Sequence, residues 1–258
     1  MSARALVAAT MRQQLLTITR YQFELISGLI TIYVLFALVF FGTRAFVAGT
    51  AAEGETLPAI IVGFFTWTAA ITAYQEVSME LTQEATAGTL EQLAMSPFGL
   101  PVVLTVRFLT SIAVAALMWA TLLLLMMATT GRWLHIDVVS IAPLLVLTLF
   151  GAFGLGMILG GLALIFKRVQ SVLQIVQFGF VALIAIPLEL APWLKYLPLA
   201  WGHDLIEQVM VDGRALSSFP AGHLLFLLAH AAVWYVLGIV VFRWFERIAR
   251  DRALLGHY

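Results

Sequence analysis

The chain has 258 residues, of which 62% are hydrophobic and only 11% charged, with a net charge of zero and no cysteine. This balance excludes a soluble globular domain, because repeated apolar runs of about 18 residues or more mark membrane spans. It leaves no basic face for nucleic acid, and rules out disulfides, thiolate metal sites and cysteine nucleophiles.

Residues 1–22 read as an amphipathic helix lying along the membrane surface. Val7, Met11, Leu15 and Ile18 form its narrow apolar stripe, with Arg12, Gln13 and Arg20 opposite. Arg4, Arg12 and Arg20 also break up any signal-peptide core. A first span is expected from about Leu25 to Phe41, then a short polar loop from Thr43 to Thr56. A second span, from about Leu57 to Tyr74, carries hydroxyls at Thr66, Thr68 and Thr72 that can bond back to the helix backbone.

Glu76 to Pro97 is the longest polar interruption, and holds four of the chain's 14 acids. On one helix Glu76, Glu80, Glu84 and Glu91 would share a sector of about 80°, an acidic stripe. Gly88 suits the residue after a helix end, and Thr89 with Gln92 three residues later reads as a capping box opening a second short helix. Ser96-Pro97 then opens a long apolar helix. The run Glu84, Gly88-Thr89-Leu90-Glu91-Gln92-Leu93, Ser96-Pro97 resembles the E…GTLEQL…SP pattern of permease subunits of type-2 ATP-binding cassette (ABC) transporters. In that family the pattern lies between the second and third spans, where a coupling helix touches the partner ATPase. The resemblance therefore implies ATPase-coupling roles for Glu76, Glu80, Glu84, Gly88, Thr89, Glu91, Gln92 and Pro97.

Span three is expected from about Pro97 to Thr129, with Arg107 snorkelling to the interface. His135 and Asp137 follow in a loop, two ligand types without the third that a metal site needs, so no metal is expected. Span four, about Ile141 to Phe166, carries the ladder Ala152, Gly156, Gly160 at spacing four, a signature of close helix packing. Lys167-Arg168 marks a turn into span five, about Val169 to Leu188. Glu189 to Gly222 holds a candidate short helix from about Leu199 to Val211, with Trp201, Leu205 and Val209 on one side and Asp204 and Glu207 on another. It is too short to span, and suits an interfacial or re-entrant position. The family resemblance implies an outer re-entrant hairpin at residues 189–222 forming part of an exit gate, with Glu189, Pro192, Trp193 and Trp201 in it. Span six, about His223 to Phe242, leads into the basic tail Arg243, Arg247, Arg250 and Arg252.

The expected fold is thus a single all-α membrane domain over 1–258 with six spans and both termini on one side. Putting the termini, the coupling stretch and the turn between spans four and five in the cytoplasm places Arg4, Arg12, Arg20, Arg107, Lys167, Arg168, Arg243, Arg247, Arg250 and Arg252 inside. Only Arg44, Arg132, Lys195 and Arg214 remain outside, which agrees with the positive-inside rule. His230 is the one clearly embedded titratable side chain, so ion-coupled transport lacks the buried charges it uses. The chain has no phosphate-binding loop of the G-x-x-x-x-G-K-[ST] type, hence no ATPase of its own. The resemblance implies an exporter of drugs, lipids or lipid-linked glycans in a bacterial or archaeal inner membrane. It implies a paired second permease, expected as a homodimer, and two ABC ATPase subunits carrying ATP and magnesium, with no cofactor bound by this chain. An intramembrane enzyme or a non-transporting scaffold stays open as an alternative.

Overall fold

A computed structural model describes residues 10–12, 22–50, 53–86, 89, 99–166 and 169–251. The described residues are helical, without strands: α1 (Gln22–Val47), α2 (Glu53–Thr86), α3 (Leu100–Thr130), α4 (Val138–Ile165), α5 (Gln170–Ala185), α6 (Ala200–Met210) and α7 (Ala221–Asp251), with 3-10 turns at Pro192–Tyr196 and Leu216–Ser218. Five of these, α1, α2, α3, α4 and α7, are long and apolar enough to cross a membrane. The chain is an integral membrane protein. The expected interfacial helix over 1–22, the tail beyond Asp251 and the Lys167-Arg168 turn lie almost wholly outside the described residues.

Several boundaries differ from expectation. α1 runs on to Val47 and α7 to Asp251, so Arg243, Arg247 and Arg250 of the expected basic tail are helical. Span five was expected to reach Leu188, but α5 ends at Ala185 after 16 residues. Pro187 is the reason: it forces Ile186 out of the helical region, to φ −96° and ψ 114°, and lacks the amide that would extend the ladder. At 1.5 Å per residue α5 is about 24 Å long, short of the roughly 30 Å hydrocarbon layer. Span two, by contrast, does not stop at Tyr74. It runs unbroken to Thr86, so Glu76, Glu80 and Glu84 extend the membrane helix instead of forming a separate polar one.

α4 is the centre of the bundle, packing most extensively on α7 and α2. It contains no charged residue, and its glycines serve two partners. A Cβ added at Gly156 would come within 2.9 Å of the Tyr74 Cα on α2, and one at Gly160 would run into the Val77 side chain. On the other side a Cβ at Gly154 would strike the carbonyl of Trp234 on α7, and one at Gly161 would lie 2.9 Å from the Phe245 ring. Gly238 of α7 meets Gly154 in turn. Gly156 and Gly160 of the ladder therefore pack toward α2, and the off-ladder glycines Gly154 and Gly161 make a second face toward α7. Without a hydrophobic drive between helices in lipid, such backbone contact is a main source of association.

At the end where α2 begins, the loops are laced together. Arg132 Nη2 pairs with Glu53 Oε1 at 3.2 Å, and the His135 amide donates to the Met210 carbonyl at 2.9 Å. Asp137 caps α4, accepting from the Val139 amide at 3.1 Å and from the Ser140 hydroxyl, and that hydroxyl bond holds its carboxyl below the usual range. Ser140 Oγ in turn accepts from the Leu216 amide at 2.8 Å.

The glycine contacts give a direct expectation. Gly154→Ala and Gly156→Ala each place a methyl against backbone that cannot turn aside, and should cost about 1–3 kcal/mol as overpacking does. Gly28→Ala on α1, with nothing within 4 Å of the added atom, should leave stability unchanged or slightly raised. Thermal unfolding of the detergent-solubilised variants measures both.

Candidate functional site

The charged cluster lies where α2 ends and α3 begins. Glu76, Glu80 and Glu84 recur every four residues on α2, and Arg107 and Ser111 have the same spacing on α3, so each set lies along one helix face. The antiparallel pairing sets them opposite one another. Ser111 Oγ donates to Glu76 Oε2 at 2.7 Å. Arg107 Nη1 donates to Glu80 Oε1 and, at 2.8 Å, to Glu84 Oε1. Arg107, Glu80 and Glu84 are only 16%, 15% and 18% exposed, so the pairing is partly shielded from water and stronger than a surface ion pair.

Glu84 has a further role. Thr89 donates its hydroxyl to Glu84 Oε2 and its amide, at 2.9 Å, to the Glu84 carbonyl, a six-residue closure of the kind that ends helices. The Thr89 hydroxyl thus reaches back to α2, and the helix it was expected to cap lies outside the described residues. The acidic stripe is turned inward along Glu76, Glu80 and Glu84, which bond to α3. The physical reason is that an apolar helix pair cannot leave Arg107 without a counter-charge at that depth. Gly88, Glu91, Gln92 and Pro97 lie outside the described residues. Sequence reasoning missed Arg107 and Ser111 as members of the site. Their signal was the shared spacing of four on the next helix.

The residues expected in an outer gate are placed at the opposite end. Glu189 lies in the turn after α5, Pro192 opens the first 3-10 turn, and Trp193 is exposed. Trp201 is drawn onto α7, its indole donating to the His223 carbonyl at 3.3 Å and its ring lying edge-on to Phe226. The Tyr196 carbonyl accepts from His230 Nε2 at 3.2 Å and Trp234 Nε1 at 3.1 Å, which makes His230 a tether between the 3-10 turn and α7. α6 spans Ala200 to Met210, within a residue of expectation at each end, and buries Leu205 and Val209 together with Gly202 and His203. Leu199, just before it, takes a positive φ of 88° and is buried, fixing the turn into the helix.

His203 corrects the reading of His230 as the one embedded titratable group. It is 4% exposed, with Nδ1 3.3 Å from Thr66 Oγ1 on α2 and Nε2 3.4 Å from Glu207 Oε2. Hydroxyl, imidazole and carboxylate in a row resemble a nucleophile relay. Thr66, however, is fully buried and its hydroxyl donates to the Val62 carbonyl at 2.8 Å, so no substrate can reach it and the row is a packing tie between α6 and α2. Among the described residues no group of three or more histidines or acids is arranged to hold a metal.

Comparison with known proteins gives no match, either to a family model or to a curated protein.

Removal of Arg107 strands Glu80 and Glu84 beside each other. Arg107→Ala should therefore destabilise the protein by up to about 3 kcal/mol, in the range of a broken, largely buried ion pair. Adding Glu80→Gln and Glu84→Gln to that variant should recover most of the loss, and a thermodynamic cycle on unfolding in detergent reads the coupling.

Proposed function

We propose that this chain is the membrane-spanning permease subunit of a type-2 ABC exporter. In this reading two copies pair in a bacterial or archaeal inner membrane, with the α2–α3 connection on the cytoplasmic side. Two ATPase chains carrying ATP and magnesium bind residues 76–97, and their closure moves the bundle to carry a hydrophobic or amphipathic cargo such as a drug, a lipid or a lipid-linked glycan.

The observation that carries the reading is where the motif-bearing stretch leaves the membrane helices. α2 ends at Thr86, and just before that end the Glu84 carboxylate is held by Arg107 of α3 on one side and by Thr89 on the other. A partner that grips residues 89–97 would pull on two long helices through one short hydrogen-bonded path. The inward-facing acids narrow the expected contact: Glu76 and Glu80 transmit force within the bundle, and Glu91, Gln92 and the residues around them are left to meet the ATPase. The charge-free α4 supports an external energy source, since ion-coupled carriers place ionisable groups in mid-membrane. Cargo without fixed charge fits the same apolar interior.

The test is capture of an ABC ATPase from membranes that express it together with this chain. Wild type should retain it, Glu91→Lys should lose it several-fold, and Glu91→Gln should fall between. If wild type captures no ATPase, or if ATP hydrolysis by the complex is indifferent to amphipathic cargo, the transport reading fails.

A further inference from the structure

α5 is held to the bundle by few side chains, and two of its main attachments carry no sequence identity. Of its 16 residues only Leu173 and Phe180 are buried. From α2, the Tyr74 hydroxyl donates to the Leu173 carbonyl at 2.7 Å and Trp67 Nε1 donates to the Gln177 carbonyl at 3.2 Å. A helix offers an equivalent carbonyl every turn, so these two donors fix how close α5 lies without fixing which residue stands opposite. The residue-specific polar contact is Gln75 Nε2, which donates to Tyr74 Oη at 3.0 Å and reaches Gln177 Oε1 at 3.4 Å.

The sequence of α5 repeats at the same interval. Val169, Leu173, Val176, Phe180 and Leu183 alternate spacings of four and three, and all five are buried or packed against the core. Gln170, Gln174 and Gln177 follow the same alternation one position later, with Gln170 and Gln174 exposed and Gln177 partly buried. Displacing the helix by one turn replaces each apolar residue of the stripe by another and brings Gln174 to the place of Gln177. Gln174, exposed in the present register, gains a polar partner in that second position.

We propose that α5 is a one-turn ratchet on α2, sliding about 5 Å toward the α6 end, with Gln174 replacing Gln177 opposite Gln75 while Tyr74 and Trp67 pass to the carbonyls one turn earlier. The edge-on contact of Tyr74 with Phe180, centroids 5.1 Å apart, holds the present register, since the slide would set Val176 in that place. Only six residues separate Ala185 from Pro192, so the stroke is delivered directly to the 3-10 turn and α6. The slide belongs to the helix pair and stands whether or not an ATPase drives it.

Spin labels at Met79→Cys on α2 and Phe178→Cys on α5, both exposed in a chain without native cysteine, report the axial separation by pulsed dipolar spectroscopy in nanodiscs. Gln177→Ala removes the partner of the present register, and should raise a second population, longer by up to about 5 Å, several-fold. Adding Gln174→Ala should abolish that population, whereas Gln174→Ala alone should keep the present distance. If Gln177→Ala leaves the distance distribution unchanged, or if the second population persists when Gln174→Ala is added to Gln177→Ala, α5 has one register and the ratchet is wrong.

Discussion

The closeness of α4 to its two neighbours is the constraint on which the rest of the bundle depends. Gly156 and Gly160 admit α2, and Gly154 and Gly161 admit α7, with backbone of the neighbour against Gly154 and Gly156 and side chains against Gly160 and Gly161 where a methyl group would not fit. Lipid tails are as apolar as leucine, so burial alone gives these helices little reason to associate. Contact at backbone distance supplies the dispersion and weak polar interactions that do. α4 carries no charge, which lets its middle be buried between its neighbours.

With one face of α2 against α4, other faces take α3 and α5 as well as α1 and α6, and the attachments to α3 and α5 differ in kind. Toward α3 the contact is ionic and identity-specific: three acids meet one guanidinium and one hydroxyl, partly out of water, and any displacement would expose an unpaired charge. Toward α5 it is made by neutral donors to backbone carbonyls, with only two buried apolar residues behind them. Such a contact can be remade at the next turn at small cost, whereas the ionic one cannot. α2 and α3 therefore move as a unit if they move, and α5 is the element able to move against them.

The end of the bundle at which α2 begins is held by a different device again. Loops and short helices there satisfy one another's backbone through Asp137, Ser140, His135 and the carbonyls of Met210 and Tyr196. His203, buried between α6 and α2 beside Gly63 and Thr66, anchors the short helix to the long one. These ties let a helix of 11 residues, unable to cross a membrane, keep a defined place on the bundle.

The class of the protein, the rough placing of its apolar helices and the extent of α6 were legible in the sequence, because hydrophobic run length and helix breakers act locally. The glycine ladder of α4 was legible as well, since small residues at spacing four have few other uses in a membrane helix. What local rules could not decide was which way a stripe faces. The acids at 76, 80 and 84 looked like an outer surface, and only the antiparallel docking of α3, which sets Arg107 and Ser111 opposite them, turned them inward. The role of His203 was hidden for the same reason, as its partner Thr66 lies 137 positions away in the chain. Periodicity is a property of one helix and can be read from its residues. Pairing is a property of two, and the identity of the neighbour is settled by tertiary packing alone.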